Sequence, residues 1–178
     1  MTIDKQIQEQ LNYQPLQQMD AATGAPVNMQ SFNALEQAVT VTFLAAVYKS
    51  TRLKENAVII AKEADAGKLL NLLFDDRFDA YQAIADYSKQ QLESVKQQLT
   101  KVAGVFIRIV QEQPEDKRAD YLQNTFTSER DHILTLIPSQ LKIEKLLNDD
   151  TINDNTNKMQ GPVSTLMHKI ENTFSTSD

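Results

Sequence analysis

The residues best suited to metal chemistry form the run Asp75-Asp76-Arg77-Phe78-Asp79. Residues four apart on an α-helix share a face, so a helix would place the carboxylates of Asp75 and Asp79 side by side. Carboxylate oxygens are the ligands that Mg²⁺ prefers, often together with a substrate phosphate. One interpretation is therefore that Asp75, Asp76 and Asp79 bind Mg²⁺ in a small all-α hydrolase or transferase that acts on a phosphorylated substrate.

The same run resembles the DDxxD motif of all-helical isoprenoid synthases, in which clustered carboxylates hold magnesium ions against a diphosphate. The resemblance implies a metal-binding role for the three aspartates. The other interpretation is structural: Asp75 or Asp76 caps the helix that follows, and the acidic side chains complement its dipole. We prefer the capping interpretation, because no basic cluster follows the motif to bind a phosphate.

A second candidate combines a carboxylate with an imidazole in the run Glu129-Arg130-Asp131-His132. Glu129 and His132 have the i, i+3 spacing of one half-site in ferritin-like di-iron bundles. A complete site needs a second such pair, but the other histidine, His168, has Thr165 three positions before it. The sequence therefore favours a surface pair beside an apolar stripe.

Composition excludes several other chemistries. The chain has no cysteine, which excludes thiolate metal sites, disulfides and cysteine nucleophiles. It has no Gly-x-Ser-x-Gly, and its 4 glycines are too dispersed for a phosphate-binding loop. With 18 basic and 24 acidic residues, it offers no basic surface for nucleic acid or anionic lipid. We predict no cofactor.

The elements that must position these residues are helices. Only 4 glycines and 5 prolines are spread over 178 residues, too few for the frequent turns of a sandwich or barrel. We predict an all-α bundle of four to six helices. The four major helices lie near 29–49, 52–73, 77–112 and 116–137, and Asn28 caps the first of them. Gly67 marks either a close helix contact or a break.

The strongest periodicity runs from Tyr81 to Ile109, where apolar residues alternate steps of three and four. It predicts one long heptad-patterned central helix of about 45 Å, with Leu99, Phe106 and Ile109 buried. The last third of this helix is apolar on more than one face. We expect either a surrounding bundle or a homodimer to cover it.

The expected organisation is an N-terminal arm and loop over 1–27, a single helical domain over 28–174 and a tail over 175–178. Ile3, Ile7 and Leu11 predict a short amphipathic helix in the arm, which could dock into a partner's groove. Pro162 is expected to start a last helix, whose apolar face consists of Val163, Leu166, Met167, Ile170 and Phe174.

These patterns favour a noncatalytic bundle that acts through protein–protein interaction, as a scaffold, adaptor or immunity-type protein, with possible self-association. The first ten residues lack the pattern of a secretory signal, so we expect a cytoplasmic protein. The longest apolar runs, Val39–Tyr48 and Val102–Val110, are about half the ~20 residues that a membrane-spanning helix needs.

Overall fold

The computed structural model describes residues 1–20, 22–74 and 78–147. These ranges form an all-α bundle without a strand, as the composition predicts. The helices are α1 (Ile3–Leu11), α2 (Ala34–Thr51), α3 (Lys54–Lys62), α4 (Ala66–Phe74), α5 (Phe78–Ser88), α6 (Leu92–Gln111), α7 (Arg118–Thr135) and α8 (Ile143–Leu147), with 3₁₀ turns at Glu115–Lys117 and Ser139–Leu141. The helix predicted from Pro162 and the tail over 175–178 lie outside the described residues.

Helix α2 lies at the centre of the bundle and contacts α3, α5, α6 and α7. Its side chains are buried from Gln37 to Val47 without interruption, because the helix is apolar on all faces and has neighbours on each. Phe43 of α2 meets Phe106 of α6 edge to face, with 5.2 Å between the ring centroids. Phe126 of α7 lies 6.3 Å from Phe106, so three helices meet at one aromatic cluster.

The predicted start of α2 at Asn28 is wrong, because Asn33 is the residue that caps it. The Asn33 side chain accepts hydrogen bonds from the backbone N–H groups of Leu35 and Glu36. Asn28 makes a similar bond, to the N–H of Gln30, but in a turn ahead of the helix. Both asparagines satisfy a free backbone donor, which is why sequence alone does not distinguish them.

The helix predicted over 52–73 is two helices, α3 and α4. Glu63 accepts hydrogen bonds from the N–H groups of Ala64 and Asp65, and Asp65 accepts one from Lys68. These side chains replace the helical hydrogen bonds that are lost at the break and cap the start of α4. The break therefore lies at Glu63–Asp65, and Gly67 lies inside α4.

The single long central helix predicted over 77–112 is also wrong. Helix α5 ends at Ser88 and α6 begins at Leu92. Lys89 adopts a left-handed conformation with φ of 54°, and the N–H of Gln90 bonds back to the carbonyl of Ala85. This is the Schellman arrangement that closes many helices, usually with glycine in the left-handed position.

The heptad seam nevertheless faces the core, in two helices that pack against each other and against α2. Tyr81 and Leu92 in its first half are half-buried. Leu99, Phe106 and Ile109 are all buried, as predicted. The side chains that make the end of α6 apolar on several faces are covered within the single chain. Of the two expected covers, the structure shows the surrounding bundle, so the seam no longer argues for a dimer.

The N-terminal helix α1 packs on α6 of its own chain, and Ile3 and Ile7 are fully buried. The loop after α1 is also fixed. The side chain of Gln37, buried in α2, accepts a hydrogen bond from the Gln17 N–H and donates to the carbonyls of Gln17 and Leu136. The predicted arm therefore fills a groove in its own bundle.

Candidate functional site

The structure does not bring the predicted metal ligands into a described site. Asp75 and Asp76 lie outside the described residues. Asp79 is exposed in the first turn of α5, where an acidic side chain complements the helix dipole. Within the described ranges, no group of three His, Asp or Glu side chains is arranged to hold a metal ion.

Glu129 and His132 lie near a third ionisable residue, Asp4 of α1. The Asp4 carboxylate is buried, and its Oδ1 lies 3.2 Å from Nε2 of His132. These two atoms do not form a hydrogen bond with each other. The other carboxylate oxygen, Oδ2, accepts a hydrogen bond from Gln8. Oε2 of Glu129 accepts a hydrogen bond of 2.9 Å from the N–H of Ile3.

These contacts change the electrostatics of Glu129. Burial raises the pKa of the Glu129 carboxyl above its ordinary value, and the nearby charge of Asp4 acts in the same direction. The hydrogen bond from Ile3, together with the positive charges of His132 and the N-terminus, opposes the rise. The cluster joins α1 to α7, and it satisfies one of the free N–H groups at the start of α1.

The sequence gives the Glu129–His132 pair but not its partner on α1. Asp4 follows Ile3 and precedes Lys5, so it looks like an ordinary acidic residue in the first turn of a short helix. Only the docking of α1 brings it to His132. The predicted surface pair is in fact partly buried, and it holds an element in place.

A polar cavity of about 490 Å³ opens beside the N-terminus of α2. Its lining combines amide and hydroxyl side chains of Gln14, Gln30, Ser31, Asn33, Ser88 and Gln90 with Phe32, Ala34 and Leu35. The lining contains no carboxylate, imidazole or amine, so it supplies neither an acid nor a base for catalysis.

A second, smaller cleft lies between α3 and α4, with a volume of about 80 Å³. Its walls are Ser50, Asn56, Ile59, Ile60 and Leu72. Ile59 is 50% exposed and Leu72 is 49% exposed, whereas their neighbours Ile60 and Leu73 are buried. We call this surface the α3–α4 cleft. It presents two large apolar side chains to solvent on neighbouring helices.

The charged side chains near the α3–α4 cleft are of both signs. Glu55 and Lys62 lie one helical turn from Ile59 on α3, and Glu63 follows the end of that helix. Lys68 lies one turn before Leu72 on α4. Among the described residues, the two acidic and two basic side chains balance each other and give no net attraction for a strongly charged ligand. Recognition at this surface would therefore depend on apolar contact.

The sequence contains apolar residues that could form this cleft, but helical periodicity alone does not show which of them face solvent. Ile59-Ile60 and Leu72-Leu73 are adjacent apolar pairs, and neighbouring residues on a helix point about 100° apart. On short helices that pack on one side, one member of each pair faces the core while the other faces outward. Which member points outward depends on how α3 and α4 pack.

Every helix in the described part of the chain is too short or too polar to cross a lipid bilayer. The chain matches no known protein-family model, no curated protein and no solved structure.

Proposed function

We propose that this protein is a noncatalytic helical bundle that acts by protein–protein contact, as a scaffold, adaptor or immunity-type protein does, and that the α3–α4 cleft is its contact surface. The observation that carries the proposal is the pair of half-exposed side chains, Ile59 and Leu72, which face one cleft. Apolar side chains of this size contribute most to binding when a partner removes them from water.

The chemistry of the cleft defines the partner. The cleft combines the apolar side chains of Ile59, Ile60 and Leu72 with the polar side chains of Ser50 and Asn56. Such a surface fits one face of an amphipathic helix, whose apolar side chains contact the apolar part of the cleft. Because the described rim carries side chains of both signs, the partner helix needs no particular net charge. Because charge steering contributes little here, binding should depend only weakly on salt concentration.

A photo-crosslinking residue at Lys68, on the rim of the cleft, tests this proposal in the cell that produces the protein. We expect a discrete crosslinked adduct from this position and none from Gln30, which is exposed near the other end of α2. Leu72→Glu should abolish the adduct, because it places a charge in the apolar wall. Asn71→Glu adds the same charge at the adjacent exposed position and should preserve the adduct. Absence of the adduct, or its survival in Leu72→Glu, would contradict the proposal.

Magnesium binding distinguishes this proposal from the alternative that the aspartate run suggested, a magnesium-dependent hydrolase or transferase that acts on a phosphorylated substrate. A ligand that binds only the folded state must raise the thermal midpoint. We expect millimolar MgCl₂ to leave the midpoint unchanged beyond the effect of NaCl at equal ionic strength. A specific rise that Asp79→Asn removes would favour the enzyme instead.

A further inference from the structure

We propose that the polar cavity beside the N-terminus of α2 binds a small neutral saccharide. This inference goes beyond the proposed function, because the cavity shares no lining residue with the α3–α4 cleft and would take a different class of ligand. It follows from the free amide groups of the lining, from the aromatic side chain beside them and from the neutral character of the described lining.

Three glutamines in the cavity wall have side-chain amides without a hydrogen-bond partner in the described part of the chain. Gln14, Gln30 and Gln90 come from the loop after α1, the turn before α2 and the turn between α5 and α6. Their backbone N–H groups all donate hydrogen bonds within the chain, at 3.0 Å for Gln14 and Gln30 and 3.1 Å for Gln90. The backbones are therefore held around the cavity, whereas the amide groups that line it remain available to a ligand.

The other polar side chains of the lining already make hydrogen bonds within the fold. Asn33 caps α2, and the Ser88 hydroxyl donates to the carbonyl of Ile84 at 2.7 Å. The Ser31 hydroxyl accepts a hydrogen bond from the side chain of Gln17 at 3.3 Å. The three glutamines therefore supply the hydrogen-bonding groups that the described protein leaves open in this cavity.

An amide side chain and a saccharide have complementary hydrogen-bonding groups. Each glutamine offers two N–H donors and one carbonyl acceptor. Each hydroxyl group of a pyranose ring both donates and accepts, so two neighbouring hydroxyl groups can bind the nitrogen and the oxygen of one amide. Amides from three segments of the chain can thus contact hydroxyl groups on different edges of one sugar.

Phe32 supplies the apolar contact that a saccharide also needs. It is half-buried and belongs to the same lining, together with Leu35. The face of an aromatic ring carries partial negative charge, which attracts the partly positive C–H groups on one face of a pyranose. The cavity therefore combines an apolar contact for the face of the sugar with amide groups for its hydroxyl edge.

The neutral lining favours a saccharide over charged or apolar ligands. A phosphate, carboxylate or amine would lose hydration there, because the described lining has no charged side chain to replace it. A purely apolar ligand would separate the three amides from water without replacing their hydrogen bonds. The cavity volume of about 490 Å³ lies within the range of roughly 300–1,000 Å³ that is usual for small-molecule sites.

Titration of the full-length chain with saccharides tests the proposal. The probes are maltose, cellobiose and N,N′-diacetylchitobiose at millimolar concentrations, and the readout is the side-chain NH₂ signals in ¹H–¹⁵N spectra. We expect saturable shifts of the Gln14, Gln30 and Gln90 signals with at least one of these saccharides. The signal of Gln123, whose amide donates to the carbonyl of Thr51 at 3.0 Å, should stay unchanged. Absence of a saturable shift with all three saccharides would overturn the proposal.

Substitutions in the lining show whether the glutamines cause the binding. Gln14→Ala and Gln90→Ala should each raise the Kd of the bound saccharide about fivefold, the effect of one lost hydrogen bond. Gln18→Ala removes an exposed amide from the same loop as Gln14 but outside the lining, and it should leave the Kd unchanged. Equal thermal midpoints will show that all three variants fold. A natural Kd in both Gln14→Ala and Gln90→Ala would contradict this site.

Two further comparisons test the class of ligand. Phe32→Leu keeps an apolar side chain but removes the aromatic ring, and it should raise the Kd several-fold. Citrate and spermidine carry charges of opposite sign, and neither should shift the glutamine signals. An unchanged Kd in Phe32→Leu, or a larger response to citrate or spermidine than to the saccharides, would overturn the assignment to a neutral saccharide.

Discussion

At the scale of single residues, Glu129 has the most unusual environment in the polar cluster. Its carboxylate accepts a hydrogen bond from the backbone N–H of Ile3 at the start of α1, and it lies near the buried carboxylate of Asp4. The hydrogen bond favours the charged carboxylate, whereas burial and Asp4 disfavour it. Because the pKa of Glu129 is raised, burial and Asp4 outweigh the hydrogen bond and the nearby positive charges.

Glu129→Gln should therefore change stability in a pH-dependent way. A folded-state pKa above the unfolded value, about 4.3 for glutamate, means that folding favours the protonated acid. Its contribution is fully present below the unfolded pKa and is lost as pH rises through the folded pKa. From about pH 4 upward, the free energy of unfolding of Glu129→Gln should therefore increase relative to that of the natural chain.

Urea unfolding of both proteins over a pH series measures this difference. Glutamine still accepts the Ile3 N–H, whereas Glu129→Ala leaves that donor unpaired and should cost about 1–3 kcal/mol. A difference between Glu129→Gln and the natural chain that does not vary with pH would show that the carboxyl is not desolvated.

Gly24 is constrained both by its backbone and by its surroundings. It is buried with φ of +67°, and a Cβ atom there would clash with the hydroxyl of Ser139. Gly24→Ala should lower the free energy of unfolding by about 1–3 kcal/mol, from backbone strain and displacement of that hydroxyl. The double variant with Ser139→Ala should recover the steric part only. Full recovery would show that the left-handed backbone costs nothing.

At the scale of elements, the turn between α5 and α6 carries strain that substitution can relieve. Lys89 holds the left-handed position where glycine is favoured. Lys89→Gly should raise the free energy of unfolding by about 0.5–1 kcal/mol, as measured by chemical denaturation. Lys96→Gly, at an exposed position inside α6, should lower it by about 1 kcal/mol. The same sign for both substitutions would mean that α5 and α6 are one continuous helix.

At the scale of the whole molecule, the aromatic cluster of Phe43, Phe106 and Phe126 joins the central helices. Phe106 is fully buried at their junction. Phe106→Ala should cost about 3–5 kcal/mol in the free energy of unfolding. Leu72→Ala, at a half-exposed position of the cleft, should cost about 1 kcal/mol. A loss below about 1 kcal/mol for Phe106→Ala would place the heptad seam in solvent.

Phe106→Ala and Leu72→Ala also distinguish residues that stabilise the fold from residues of the proposed contact surface. The core side chains hold the bundle together, whereas Leu72 remains half exposed after folding. Within the described residues, the bundle leaves Ile59 and Leu72 half exposed, which is the arrangement that the proposed function requires.

The helical class and the burial of Leu99, Phe106 and Ile109 were predictable from the sequence, because they depend on composition and on periodicity along one element. In the structure α1 ends at Asn12, a residue type that tolerates the left-handed conformation adopted there. Lys89 adopts the same conformation without such a signal. The long helix was therefore predicted where the packed chain forms two.

The polar cluster around Asp4 and the α3–α4 cleft could not be predicted from the sequence, because both depend on how the helices pack. Asp4 and His132 are far apart in sequence, and only the docking of α1 on its own bundle brings them to 3.2 Å. Ile59 and Leu72 are each one of an adjacent apolar pair, and the packing angles of α3 and α4 decide which member faces out. Local patterns specify which residues are apolar, but only the assembled bundle determines which of them it covers.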